Sequence, residues 1–85
     1  DTVDQWRAAH VLMGPVERSI TIAGHETSVS LEPVFWDALK SEADGLGLPL
    51  SALVARIDAE RIADPAPSNL GSAIRVWLFE RARQG

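Results

Sequence analysis

Two short stretches of the chain alternate apolar and polar positions, and three longer ones repeat every three to four residues. In 19–23 (SITIA), Ile20 and Ile22 fall on one side and Ser19 and Thr21 on the other. In 27–31 (TSVSL), Thr27, Val29 and Leu31 share one side, Ser28 and Ser30 the other. Successive side chains of a strand point to opposite faces, so each run predicts a strand with one buried face. The β-branched content of the first run agrees. Gly24-His25-Glu26 between them predicts a hairpin of 19–23 against 27–31. A looser bend, with each strand pairing elsewhere, fits the same residues, because this connection lacks the strongest hairpin dipeptides.

The helical runs follow. Pro33 suits a first helical turn, where its missing N–H costs nothing. A helix is expected over 33–46, with Phe35, Leu39, Glu42 or Ala43, and Leu46 along its stripe and Trp36 widening it. Gly47 is the expected left-handed cap. A second helix is expected over 49–62 on Leu50, Leu53, Val54 and Ile57, with Leu48 where a capping side chain would normally stand. Asp64-Pro65-Ala66-Pro67 is a stiff break. A last helix, capped by Ser68 or Asn69, is expected over 70–83 on Leu70, Ala73, Ile74, Trp77 and Leu78. Gly71 in its first turn costs about 1 kcal/mol against alanine; a close helix crossing there would explain its use. Ahead of all this, 1–12 has weak helical character around Trp6, Ala9, Val11 and Leu12, ended by Gly14-Pro15. It reads as a packing arm or a partner-binding arm.

The organisation is therefore one domain: an arm or short helix over 1–17, a core over 18–64, and a C-terminal helix over 68–85 packed on that core. With 85 residues the chain buries a modest share of its surface, so help from a partner is expected. Absence of cysteine removes disulfides and thiolate metal sites. No apolar run approaches the roughly 20 residues of a membrane helix, and no signal-peptide pattern opens the sequence. The expected compartment is the cytoplasm, with no membrane partner.

Charge changes the picture more than composition does. Formal net charge is −4, and residues 26–64 carry eight acidic against three basic side chains (Lys40, Arg56, Arg61). Residues 65–85 carry Arg75, Arg81 and Arg83 against Glu80. Nucleic-acid binders normally concentrate positive charge on one face, so the acidic middle weakens that reading. Catalytic chemistry finds no support. Ser28 and Ser30 have no adjacent base, and Glu42 and Asp44 read as solvated helix charges. His10 and His25 have no metal-ligand spacing, and no phosphate-loop or dinucleotide pattern occurs. No enzyme activity, cofactor or metal is expected. Trp36 and Trp77 read as core or interface anchors.

Strand, helix, glycine turn and helix now stand in order, and the blocks TSVSLEPVFW (27–36), LSALVARID (50–58) and NLGSAIRV (69–76) carry a resemblance. The chain resembles the ribbon-helix-helix family, and most closely a bacterial subgroup of poorly defined function. The resemblance implies an α+β fold: a strand or short hairpin, two helices, and here an added C-terminal helix. It implies an intertwined homodimer with Val29, Leu31, Phe35, Trp36, Leu39, Leu53, Val54 and Ile57 in the dimer core. In DNA-binding members the ribbon enters the major groove. That places Glu26, Ser28 and Ser30 outward toward bases and the helix start at Leu50 and Ser51 on a phosphate. The implied function is a DNA-binding transcriptional regulator; the charge pattern and the extra apolar segments 6–12 and 70–79 motivate the alternative, a protein-interaction adaptor on the same fold without strong DNA affinity. Arg75, Arg81 and Arg83 are the basic residues able to tip that balance.

Overall fold

A computed structural model of the chain describes residues 13–84. The expectation of a helix over the first twelve residues lies outside them. The order is β1 (Val16–Ile22), β2 (His25–Leu31), α1 (Pro33–Leu46), α2 (Leu50–Ile62) and α3 (Leu70–Gln84). The two strands form an antiparallel hairpin in which Val16 faces Leu31 and Ile22 faces His25. The connection is tighter than expected: Ala23 and Gly24 alone make the turn, with φ of 51° and 82°. Positive φ at both central residues is what a two-residue hairpin needs to match the strand twist. His25 and Glu26 therefore belong to β2, and the looser bend is not adopted.

β1 also begins earlier than the alternation suggested, at Val16. The reason is Arg18, which sits at an inward-facing position and so breaks the apolar pattern. Its guanidinium lies 5.2 Å over the Trp36 ring, so the stem packs while the charge stays wet. The Trp36 indole N–H donates to the Val16 carbonyl at 2.9 Å, tying the strand start to α1.

The helices close under the inner face of the hairpin. Ile20, Ile22, Val29 and Leu31 come from the strands, Trp36, Leu39 and Ala43 from α1, Leu53, Val54 and Ile57 from α2, and Ile74 and Leu78 from α3. Leu31, Leu39, Leu53, Val54 and Ile74 are completely inaccessible. Burying such side chains stabilises by about 1.5–3 kcal/mol each, which is why α3 is part of the core and not an appendage. α1 starts on Pro33 and ends at Gly47, whose φ of 69° is left-handed. The Gly47 and Leu48 N–H groups return to Asp44 and Ala43 carbonyls. α2 has no side-chain cap, as expected. α3 is capped by Asn69, whose side-chain oxygen accepts from the Ser72 N–H at 2.8 Å.

Candidate nucleic-acid or partner interface

The hairpin has an inner face on the core and an outer face in solvent. Residues paired across an antiparallel ladder share a face, and the register pairs Glu17 with Ser30, Ser19 with Ser28 and Thr21 with Glu26. All six are exposed. The expected outward set of Glu26, Ser28 and Ser30 thus lies on the outer face, joined by Glu17, Ser19 and Thr21 from β1. Alternation in SITIA had already turned Ser19 and Thr21 outward. Glu17 was missed because the strand was not followed back past Arg18. The full face is two carboxylates and four hydroxyls, with no cation.

The three C-terminal arginines are tied down. Arg75 Nη2 lies 3.0 Å from Glu32 Oε1, its Nε donates to the same oxygen, and it stacks 5.8 Å from the Phe35 ring. This places Arg75 at the end of β2, where Nη2 also reaches the Ser30 carbonyl at 3.4 Å. Arg81 meets Glu42 at 3.0 Å and Trp77 at 5.3 Å. Arg83 faces Glu80 at 3.5 Å and Phe79 at 5.9 Å. Each arginine lies beside a carboxylate and an aromatic face, most closely Arg75 and Arg81 at 3.0 Å, while Arg83 at 3.5 Å is 65% exposed. Glu32 responds: hydrogen bonding to its own backbone N–H, and then to Arg75, holds its carboxyl below the ordinary carboxylate range.

Leu50 and Ser51 open α2 behind Pro49, whose extended backbone (φ −60°, ψ 151°) precedes the helix. The Pro49 carbonyl accepts from the Ala52 and Leu53 N–H groups, which leaves the amides of Leu50 and Ser51 as the first-turn donors. Ser51 is exposed and Leu50 partly buried. No basic side chain stands in that turn. Of the residues expected in a dimer core, Val29, Leu31, Trp36, Leu39, Leu53, Val54 and Ile57 are buried within a single chain, and Phe35 packs against their edge.

A ribbon-helix-helix domain model matches residues 15–82. The chain belongs to the ribbon-helix-helix family. A comparison with curated proteins and one with solved structures gave no match. The family match spans both strands and all but the last two residues of α3, so nearly all of the third helix of this ribbon-helix-helix domain lies within the matched region.

A groove of about 540 Å³ runs between α2 and α3, floored by Ile57, Ala73, Val76 and Trp77 and rimmed by Glu60, Arg61, Glu80 and Arg81. Arg61 is held by Asp58 at 2.8 Å and donates to the Ser68 carbonyl at 3.0 Å, which fixes the rim beside the α2–α3 link. Among the described residues no group of three or more histidine, aspartate or glutamate side chains converges as a metal site would. None of the described helices is long and apolar enough to cross a membrane.

Proposed function

We propose that this ribbon-helix-helix domain works as a homodimeric protein-interaction module of the bacterial cytoplasm, without enzymatic activity and without strong affinity for DNA. One observation carries the reading: the outer face of the ribbon holds Glu17 and Glu26 among four hydroxyl side chains and no cation. Phosphate neutralisation by lysine and arginine supplies essentially all non-specific and much specific DNA affinity. A face of this composition repels a polyanion, and Arg75, Arg81 and Arg83 are already engaged by carboxylates. A protein partner presenting basic or hydrogen-bonding groups matches the face better.

The second reading is a DNA-binding transcriptional regulator. Family membership favours it. Ser28 and Ser30 would then read bases and the Leu50 and Ser51 amides would hold a phosphate. One titration separates the two. The protein is mixed with duplex fragments of its source genome at about 50 mM salt, where counterion release favours binding most, and anisotropy is recorded. The interaction reading expects no saturable binding at micromolar protein. Saturable binding that weakens as salt rises establishes the regulator instead.

A further inference from the structure

The groove between α2 and α3 lies apart from the ribbon. We infer that it docks an amphipathic helix of another protein, one that carries lysine or arginine beside its apolar stripe. None of the ribbon's outward residues lines the groove, so the inference stands under either reading of the ribbon face. The groove follows α3 from Ala73 to Gln84, about 16 Å at a rise of about 1.5 Å per residue. Its volume of about 540 Å³ suits a binding cleft. Val76 on its floor and Phe79 one turn further along α3 are each 61% exposed, and Trp77 is partly buried between them and the core. Apolar surface is therefore left open to solvent beside a core that is already closed.

The walls decide the form of the occupant. α2 and α3 commit their backbone groups to their own helices, so the groove offers side chains and no strand edge. An extended segment gains its affinity from such an edge, whereas a helix docks through side chains alone. Apolar side chains at i, i+4 and i+7 share one helix face and span about 10 Å, within the length of the groove.

The rim decides its charge. Three carboxylates, Glu60, Asp64 and Glu80, stand there with Arg61 and Arg81. Each arginine is already paired with a carboxylate that does not line the groove, Arg61 with Asp58 at 2.8 Å and Arg81 with Glu42 at 3.0 Å. Among the described residues no cation lies within ion-pair distance of Glu60 or Asp64, and Glu80 has only the exposed Arg83 at 3.5 Å. The Asp64 carboxylate is held in place by the Ala66 N–H, which donates to it at 2.8 Å. Asp64 follows the end of α2 and Gln84 is the end of α3, and a helix C-terminus carries partial negative charge. The uncompensated charge of the groove is therefore negative. A cationic helix complements it, and an acidic helix of the same shape is repelled.

Two synthetic helices serve as probes. Both carry leucines at i, i+4 and i+7 and are otherwise alanine, with lysines flanking the leucines in one and glutamates in the other. Each is labelled and titrated with the full chain at low salt, and anisotropy is recorded. The lysine helix should bind at least about tenfold more tightly than the glutamate helix, since like charges across an interface cost affinity. The double variant Glu60→Lys with Glu80→Lys should reverse that order. Val76→Lys should weaken the lysine helix by at least about tenfold, and all three positions are exposed, so the core is undisturbed. Equal binding of the two helices, or none, overturns the docking site. A preference for lysine that survives the variants overturns it too, because the helix is then held elsewhere, as on Glu17 and Glu26 of the ribbon. The same samples read two other occupants. A groove variant that changes the sedimentation of the chain puts a second copy in the groove. Displacement of the lysine helix by a peptide of residues 1–12 puts the chain's own N-terminal segment there. Either result overturns the proposal.

Discussion

Ala23 is the residue least suited to its place. Its φ of 51° is a left-handed conformation that costs an L-residue with a Cβ roughly 1–2 kcal/mol. Asparagine tolerates that region, and Asn-Gly is the favoured two-residue hairpin pair. Ala23→Asn should therefore raise the unfolding free energy by about 0.5–1 kcal/mol, read as a higher denaturant midpoint with an unchanged slope. This also explains what the sequence left open. Alternation in 19–23 and 27–31 was enough to propose a hairpin, but an alanine gives no turn signal, so Gly24-His25-Glu26 was read as the connection. Glu32 makes the other residue-scale prediction. Its carboxyl is held below the ordinary value of 4.5 by hydrogen bonds from its own backbone N–H and from Arg75. A lowered folded-state pKa means that the unfolded chain takes up the proton first, so the associated stability is present above pH 4.5 and is lost as pH falls below it. Glu32→Gln, which resembles the protonated carboxyl, should flatten the profile in that window by lowering the neutral plateau toward the acid level, a small change because the ion pair is partly exposed. A profile that falls as steeply in the variant would mean that Glu32 does not supply the acid response.

At the scale of elements, two helical glycines make opposite demands. Gly45, in α1, has nothing within 4 Å of the position a Cβ would take, whereas Gly71, in α3, has the Ser30 carbonyl 3.2 Å away. Helix propensity alone favours alanine over glycine by about 1 kcal/mol. Gly45→Ala should deliver most of that gain in thermal or denaturant unfolding. Gly71→Ala should deliver none of it, since a backbone carbonyl must give way. Equal gains at both sites would mean that α3 does not press on β2. The helices were legible because their stripes were: all three lie within a residue or two of their expected ends, and Gly47 caps α1 as read. The start of β1 was not legible, because Arg18 is a charged residue on an inward face. Arg18 stays exposed there, with its guanidinium over the Trp36 ring that the fold brings to it. A close helix crossing would have explained Gly71, but the close neighbour in the structure is the β2 backbone at Ser30 and not another helix.

For the whole molecule, shape and charge point different ways. The ribbon-helix-helix order was legible in three sequence blocks, and the match over residues 15–82 agrees. The chemistry of the ribbon face was only half legible, because Glu17 joins it through a pairing register that no local pattern states. If the ribbon has a groove-compatible shape and merely lacks charge, supplying charge should create DNA binding. Glu17 and Glu26 are both exposed on the outer face, so the double change Glu17→Lys with Glu26→Lys should leave the core intact. Each substitution adds two positive units, which takes the chain from −4 to 0 and places new lysines on the ribbon face. Duplex affinity measured by anisotropy should then appear at low salt and fall as salt rises, with a log–log slope near −0.9 per phosphate neutralised. It should show little sequence preference, since lysines placed without regard to base edges position the protein and do not specify a site. A folded double variant that still ignores duplex DNA would show that the obstacle is the shape of the sheet. That result would agree with a homodimer in which each copy brings a two-stranded hairpin, because a four-stranded sheet enters a groove less readily than a two-stranded ribbon.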